Sequence, residues 1–334
     1  MRSRRGVIRV TLAALLALPL LALGTPPGAR AQQSGLRPGG GTVRILLGSA
    51  PGSAADAVAR AMAESLAGVL GQPVVMENAP GGGGVVAASR VMQSRRDGTT
   101  ILSAVSGSLI GPMLDRSLPY EIGRDLIPVS QVTAAMAVFV VRASLPARTL
   151  AEYLAQAKAS GEPQNFGNYG YGSSSHLQGL LLARSAGLAM DPVPYSGTTQ
   201  LILDLTSGRL CCAFIDAGSA REFIRNGQLR PLAVTGPRRA PNLPEIPTFT
   251  ELNIANFEPQ IWQGMFLPSG TPDEIVTAVG RAMAEAITRP EASRVIRELD
   301  YESVGSSPAE FTAMIAHDAP IWRRIIEETG VRIK

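Results

Sequence analysis

Short apolar segments alternate with amphipathic segments along most of this chain, and the alternation predicts an α/β fold. The apolar segments have the length of buried strands, and the amphipathic ones carry the start and stop signals of helices. Strands and helices that alternate in this way form largely parallel sheets covered by helices. About ten such units exceed one small sheet, so we expect two α/β lobes, each a mostly parallel sheet flanked by helices.

The predicted elements can be located from local patterns. The predicted strands are TVRILL, PVVMEN, TTILSAV, MAVFVVR, NFGNY, PVPY, LCCAFID, LRPLAVT and IWQGMFLP. A Ser or Thr followed three residues later by Glu or Gln is typical of a capped helix start, and this pattern occurs at Thr149, Ser175, Ser219, Thr271 and Ser307. Proline is expected at the first helical position at Pro272 and Pro308, and a kink at Pro320. Glycines predict helix ends at Gly71, Gly187, Gly227 and Gly330.

The N-terminus has the layout of an export signal. MRSRRGVIRV is basic, VTLAALLALPLLALG is apolar but short for a membrane span, and Ala29-Arg30-Ala31 offers a cleavage site. We expect a signal peptide over residues 1–31, cleaved near Ala31, and a flexible leader over 32–41. Ser3-Arg4-Arg5 also resembles a twin-arginine signal, so the export route stays open. No cysteine follows the apolar segment, which argues against a lipid anchor.

Charge and cysteine content exclude several classes of protein. The chain has 31 Lys plus Arg against 27 Asp plus Glu, but five of the arginines lie in the predicted signal. The remaining 26 basic residues against 27 acidic ones leave a near-neutral protein, with no support for nucleic-acid binding. Cys211 and Cys212 are adjacent, an arrangement poorly suited to a disulfide because neighbours on a strand point to opposite faces.

Four turns rich in glycine and hydroxyl groups lie between a strand and a helix, and we expect them to form the functional site. They cover residues 47–56, 103–111, 168–176 and 193–200. The carboxyl ends of parallel strands are where α/β proteins bind ligands, and the unpaired N–H groups of a helix start suit a carboxylate, phosphate or sulfate. With no Lys or Arg cluster nearby, the pattern indicates a small anion held mainly by neutral donors.

Other kinds of site fit the sequence less well. In a serine hydrolase, Ser173, Ser174 or Ser175 would need His176 or His317 as base. Consecutive residues on a helix do not face each other, and the stretch lacks the G-x-S-x-G elbow. PGGGGVVAAS contains G-x-G-x-x-A without the acid that a dinucleotide site requires. Two distant histidines and two adjacent cysteines give no metal-ligand spacing. A scaffold protein that binds no ligand remains a further alternative.

Several segments resemble the receptors of tripartite tricarboxylate transporters, the Bug family of periplasmic solute-binding proteins. The segments are ADAVARAMAESLAGVLGQPVVMENAPGGGG, RRDGTTIL, NYGYGSSSHLQG, VPYSGTTQLILDLTSG, LRPLAVTGPRRAPNLPEIPTFTEL and FLPSGTPDEIV, in order from about residue 42 to the C-terminus. The resemblance implies a two-lobed, type II, Venus-flytrap binding protein, with lobe 1 over residues 42–135 plus 260–334 and lobe 2 over 136–259. It implies a periplasmic, monomeric receptor with no enzymatic activity and no cofactor or metal. Such a receptor would deliver a small organic carboxylate to membrane transporter subunits, although a sensing role stays open.

The resemblance also implies the binding residues. They are Gly52, Ser53, Ala54 and Asp56; Ser106, Gly107 and Ser108; Tyr171, Ser173, Ser174, Ser175 and His176; Tyr195, Ser196, Gly197 and Thr198; and Asp216. Two departures from the family pattern stand out. The first turn lacks the usual aromatic and reads Ser49-Ala50-Pro51-Gly52-Ser53, which suggests a more open pocket. Asp216 follows Ile215 where the family commonly has Asp then Asn, so it either reaches the cleft or caps a helix.

Overall fold

The computed structural model describes residues 41–332, so the predicted signal peptide and nearly all of the leader lie outside the described residues. The strands are β1 (Val43–Leu47), β2 (Val74–Asn78), β3 (Thr100–Val105), β4 (Leu126–Ala135), β5 (Ala137–Arg142), β6 (Gln164–Asn168), β7 (Met190–Pro194), β8 (Cys212–Asp216), β9 (Leu229–Val234), β10 (Ile261–Pro268) and β11 (Glu302–Ser303). The helices are α1 (Ala54–Leu70), α2 (Val85–Met92), α3 (Gly107–Leu114), α4 (Leu150–Ser160), α5 (Ser174–Ala186), α6 (Thr198–Ser207), α7 (Ala217–Arg225), α8 (Asp273–Ala286), α9 (Pro290–Glu298) and α10 (Pro308–Thr329).

The strands form two sheets within one compact unit. The first sheet has the order β11-β4-β10-β3-β1-β2, and the second has the order β7-β6-β8-β5-β9. Helices cover both, so the α/β class with two sheets is confirmed. Among the described residues, no helix combines the length and apolarity that crossing a membrane requires.

Each sheet is mixed, which corrects the prediction of mostly parallel sheets. The β1, β2 and β3 strands pair in parallel, as do β6, β7 and β8. The pairings of β10 with β3 and β4, of β11 with β4, and of β5 with β8 and β9 are antiparallel. The reason is connectivity. The chain enters the second sheet along β5 and re-enters the first along β10, and neither strand arrives through the helical crossover that makes a parallel pair.

Two connections join the sheets. The first is Met136 alone, which lies between the end of β4 and the start of β5. The second is the segment from Thr235 to Gln260, between β9 and β10. The second connection is bonded to the start of β5, directly after the first, because the Thr235 hydroxyl accepts from the Ala137 N–H at 2.9 Å while the Thr235 N–H donates to the Ala137 carbonyl at 2.8 Å.

The predicted helix starts and ends are confirmed in part. Ser307 and Glu310 form a complete capping box with Pro308 at the first turn, and Thr149 caps α4. Gly71, Gly187 and Gly330 end their helices in the left-handed conformation, whereas Gly227 lies one residue past the cap. The predictions at Ser175, Ser219 and Thr271 were wrong, because the caps are Ser173, Asp216 and Pro272. The α10 helix continues through Pro320 to Thr329.

Candidate ligand-binding site

The turns after β1, β2 and β3 meet at one edge of the first sheet. A Cβ on Gly48 would lie 2.5 Å from the Gly84 Cα, and a Cβ on Gly84 would lie 3.3 Å from the Ser108 Oγ. Two of these turns can therefore approach only because both residues are glycine. The glycine-rich stretch after β2 therefore allows close packing against the turn after β1.

The first turn is fixed from below by Asp56, a buried residue of α1. Its Oδ2 accepts from the Gly52 N–H at 3.0 Å and from the Arg60 Nε at 3.1 Å, and its Oδ1 accepts from the Asn78 Nδ2 at 2.8 Å. Burial alone would raise the pKa of this carboxyl, but the hydrogen bonds outweigh it and lower the pKa. Asp56 is therefore a carboxylate at neutral pH, and its acceptors are used within the protein.

The other predicted residues of this edge lie at helix starts. Ser53 caps α1 by accepting from the Asp56 N–H, and Ala54 is the first helical residue. The α3 helix begins at Gly107, after Ser106, without a side-chain cap. Ser106 and Ser108 are buried, and the Ser108 carbonyl accepts from the Tyr120 hydroxyl at 3.1 Å. The first N–H groups of α3 are thus not paired with a capping side chain, which suits an anion.

Tyr169 joins the three turns after β6, β7 and β8 at the edge of the second sheet. Its hydroxyl lies 3.0 Å from the Thr198 Oγ1 and donates to the Asp216 Oδ2 at 3.4 Å. Thr198 is the first residue of α6, and its N-cap, Gly197, provides no side-chain cap. Ser196 is exposed in the same turn. The α6 start therefore offers backbone N–H groups beside two hydroxyls.

The three serines at the start of α5 have different roles. The Ser173 Oγ donates to the Gly170 carbonyl at 2.7 Å and caps the helix by accepting from the His176 N–H. The Ser175 Oγ accepts from the Tyr169 N–H at 3.0 Å. Among the described residues, the Ser174 hydroxyl makes no side-chain hydrogen bond, although the residue is largely buried. Ser174 is therefore the hydroxyl of this turn that is available to a ligand.

His176 is a buried neutral side chain. Burial lowers its pKa to about 4, and its Nδ1 accepts from the Gly172 N–H at 3.3 Å. Its ring stacks on Phe166 and meets the edge of Tyr171, whose own side chain is mostly exposed. None of the serine hydroxyls in the turn bonds to this imidazole among the described contacts, so the hydrolase geometry is not formed. His317, the other candidate base, is an exposed residue of α10 beside Asp318.

Tyr195 is held away from a binding role through its hydroxyl. That hydroxyl donates to the Asp204 Oδ2 at 2.7 Å, on the same helix that Tyr195 precedes. Burial and the neighbouring carboxylate raise the pKa of Tyr195 to about 12, so the phenol stays protonated. A ligand would meet its ring or backbone.

Asp216 caps α7 and also lies beside Tyr169. Its Oδ1 accepts from the Ser219 N–H at 2.8 Å at the start of α7, and its Oδ2 faces Tyr169. It is buried, and burial raises the pKa of its carboxyl. The two roles left open by the sequence are therefore compatible.

Comparisons with known proteins place this arrangement in a family. The family model described as the tripartite tricarboxylate transporter family receptor matches residues 58–331. The chain belongs to this receptor family. Protein BugT of Bordetella pertussis is 30% identical over 294 residues, covering 87% of this chain and 90% of BugT. Members of the family are solute-binding receptors, so this chain is a receptor and not an enzyme.

Solved structures agree in fold. The periplasmic binding protein BugD superposes with a TM-score of 0.75 at 28% identity, covering 88% of this chain and 99% of BugD. The Rhodopseudomonas palustris protein Rpa4515, solved with adipate, superposes with a TM-score of 0.77 at 27% identity, covering 87% of this chain and 98% of Rpa4515. MatC from the same organism, solved with malate, superposes with a TM-score of 0.74 at 26% identity, covering 85% of this chain and 98% of MatC. The type II, two-lobed fold of these receptors is therefore confirmed for this chain.

Sequence reasoning missed two residues of this receptor that organise the site. Asn78 ends β2 directly before the glycine-rich turn, a position equivalent to that of Asp216 at the end of β8. Tyr169 stands two residues before the predicted Tyr171, and the structure makes Tyr169 the one that joins the turns. A rule that examines the last polar residue of each parallel strand and the residue after it would have found both.

Proposed function

We propose that this protein is an exported receptor that captures a small organic carboxylate between two lobes and delivers it to the membrane subunits of a tripartite tricarboxylate transporter. Lobe 1 comprises residues 42–135 and 260–334, and lobe 2 comprises 136–259, with Met136 at one hinge. The protein is a periplasmic monomer, released from its signal peptide near Ala31. Family membership and the relatives solved with adipate and malate support this proposal.

One observation carries the proposal most directly. Both sheets end in turns whose helix starts lack side-chain caps, at Ser106 and at Gly197, and each lies beside hydroxyl groups. Such starts are stabilised by an anion. Each lobe thus has one sheet edge with uncapped N–H donors, and two such edges suit a ligand with an acidic group at either end. We therefore assign a dicarboxylate of about the length of malate to adipate. The predicted residues that line this cleft are Gly52, Ser53, Ala54, Ser106, Gly107, Ser108, Ser174, Tyr195, Ser196, Gly197, Thr198 and Asp216.

A thermal-shift screen of the mature protein tests the proposal. The panel contains mono-, di- and tricarboxylates, acidic amino acids and aromatic acids. A ligand at one hundred times its dissociation constant adds about 2.7 kcal/mol to the free energy of unfolding, an easily measured shift. We expect dicarboxylates to give the largest shift and monocarboxylates of equal length a smaller one. If no acid in the panel raises the unfolding temperature and none is retained through purification, the carboxylate assignment is contradicted.

Ser174→Ala identifies the turn that binds. We expect affinity to fall more than ten-fold while the free energy of unfolding stays within about 0.5 kcal/mol, because this hydroxyl is not used inside the protein. Ser175→Ala is the matched control. It leaves the Tyr169 N–H without its acceptor and should lower stability by about 1–3 kcal/mol. Equal affinity in wild type and Ser174→Ala would remove this turn from the site.

A further inference from the structure

Three side chains form a closed ring of hydrogen bonds beneath the turn that follows β1. The Asn78 Nδ2 donates to the Asp56 Oδ1 at 2.8 Å, the Arg60 Nε donates to the Asp56 Oδ2 at 3.1 Å, and the Arg60 Nη2 donates to the Asn78 Oδ1 at 2.8 Å. Asn78 comes from β2, whereas the other two come from α1. The ring therefore joins α1, the helix that follows the turn, to β2, which lies beside β1 in the sheet.

The ring reaches the turn at both of its ends. The Asn78 Nδ2 also donates to the Ser49 carbonyl at 3.2 Å, and Asp56 accepts from the Gly52 N–H. Gly52 has a φ of 80°, a left-handed conformation that a glycine adopts without strain. The turn from Ser49 to Ser53 thus has one carbonyl and one N–H fixed to side chains. The Ser53 N–H donates to the Ala50 carbonyl within the turn, so among the described contacts the Ser49 and Ala50 N–H groups are left for a ligand.

We propose that Asn78 is a positioning residue for ligand binding, which rests on the proposed carboxylate-receptor function. It holds the turn in the shape that presents backbone N–H groups to the ligand, and it does so as a neutral double donor beside a buried carboxylate. An amide is required there because the Asp56 and Ser49 oxygens both need a proton donor. Asp56, predicted from the resemblance as a ligand contact, acts through the same ring and not on the ligand.

Asn78→Asp tests the donor role by replacing the NH₂ group with a carboxylate oxygen of the same shape. At pH 7.5 two carboxylates then face each other across a hydrogen-bond distance, and like charges this close raise the pKa of one of them. Below that pKa, one proton restores a donor between the two groups. Arg60 is the charged group that also faces this pair. Glu77, the neighbour on β2, points to the opposite side of the strand, where it pairs with Arg44 and Arg90.

The expected result is a loss that acid reverses. With adipate and malate as probes, we expect Asn78→Asp to bind about ten-fold more weakly than wild type at pH 7.5 and within about three-fold of wild type at pH 5, each pH being compared with wild type at that pH. Asn78→Ala should lose about ten-fold at both pH values, since it has nothing to protonate. Gln156→Glu, the same chemical change on the exposed face of α4, should match wild type throughout.

Hydrogen exchange of the turn tests the role of Asn78 independently of carboxylate binding. Without any ligand, amides of residues 48–56 should exchange faster in Asn78→Asp at pH 7.5 and at the wild-type rate at pH 5, after correction for intrinsic rates. This comparison decides the proposal even if neither acid binds. Wild-type exchange in both variants, or an equal loss in Asn78→Asp and Asn78→Ala at pH 5, would overturn it. Arg60→Gln, which opens the ring from its exposed side, gives a second variant should either fail to fold.

Discussion

The Arg221 Nη1 lies 2.7 Å from the Asp300 Oδ1, and this ion pair joins α7 beside the second sheet to the segment between α9 and β11 beside the first. The other oxygen of Asp300 accepts from the Asn242 Nδ2 at 3.2 Å. Asp300 has a φ of 54°, which is uncommon for a residue with a side chain. Because Asp216 caps the start of α7, this contact connects the relative position of the sheets to one end of the candidate site.

Removing that contact should weaken binding without harming the fold. Arg221 is about half exposed and Asp300 is mostly buried at its side chain, so the pair and its amide contact stabilise this arrangement of the two sheets by about 1 kcal/mol. If the ligand binds between the two lobes as proposed, Asp300→Ala should raise the dissociation constant about three- to ten-fold by lowering the fraction of protein in this arrangement. Titration calorimetry gives the affinity, and small-angle scattering without ligand should show a larger radius of gyration.

Arg294→Ala is the control for the Asp300 variant. It removes an exposed ion pair with Glu298 inside α9 that joins no second element. We expect wild-type affinity and scattering. If the Asp300 and Arg294 variants behave alike, the contact between α7 and the α9–β11 segment does not contribute to closure.

Gly218 is required where α7 touches that segment. A Cβ on Gly218 would lie 1.8 Å from the Leu299 carbonyl oxygen, so Gly218→Ala has to move backbone against backbone. We expect a loss of about 2–3 kcal/mol in the free energy of unfolding, as for overpacking elsewhere, measured by urea denaturation. Gly68→Ala on the exposed face of α1 meets nothing within 4 Å and should stabilise by about 1 kcal/mol. A neutral Gly218→Ala would show that the two segments separate freely.

Asp216 can be tested because its two roles respond differently to substitution. Asp216→Asn keeps the oxygen that caps α7 and replaces the ionisable carboxyl beside the Tyr169 hydroxyl with a neutral amide. We expect equal or higher stability and about three- to ten-fold tighter binding of a dicarboxylate, because the amide cannot carry a like charge near the ligand. Asp216→Ala should instead lose about 1–2 kcal/mol of stability with the cap. Weaker binding by the Asn variant would mean that the carboxylate itself recognises the ligand, through an amine or hydroxyl.

The sequence predicted the repeating parallel units well but missed strands of a different kind. The nine predicted strands all form, within one to two residues at their ends. Two strands were missed. The β11 strand has only two residues. In β4 the apolar pattern is interrupted by Pro128, Ser130, Gln131 and Thr133, although the strand is almost entirely buried between β10 and β11. Its backbone also makes a long-range contact, because the Gln131 N–H donates at 2.9 Å to the hydroxyl of Ser306, 175 residues further along the chain. Long-range pairing of this sort leaves no local periodicity to detect.

The candidate site was predicted at the level of turns but not of individual atoms. All four turns lie at strand ends as expected, because strand order along the chain fixes which ends share an edge. Some hydroxyls are already hydrogen-bonded within the protein, and their partners lie six to forty-seven positions away in sequence. Examples are the contacts of Tyr169 with Ser175 and with Asp216. The capping box at Ser175 also misled the assignment of α5, since the helix starts two residues earlier at a serine whose cap lacks the Glu or Gln partner.

His176 makes stability depend on pH in a defined window. Its pKa is about 4 in the folded protein, against about 6.5 for a free histidine. Between these values the unfolded chain binds more protons than the folded one, so its contribution is complete above pH 6.5 and is lost as pH falls toward 4. The full loss amounts to at most about 3 kcal/mol. Urea denaturation at pH 7 and pH 5 should show a smaller decrease for His176→Gln than for wild type.

A direct titration decides whether the His176 imidazole causes this pH dependence of stability. The chain has two histidines, so the His317→Gln variant leaves a single imidazole signal that can be followed by NMR. We expect that signal to remain neutral down to about pH 5, because protonation would put a charge among Phe166, Tyr171 and the backbone of the serine turn. An ordinary midpoint near 6.5 would mean that the turn opens to water, and the site would then carry a positive charge in mild acid. In that case carboxylate affinity should rise between pH 7 and pH 6, whereas a neutral His176 leaves it flat.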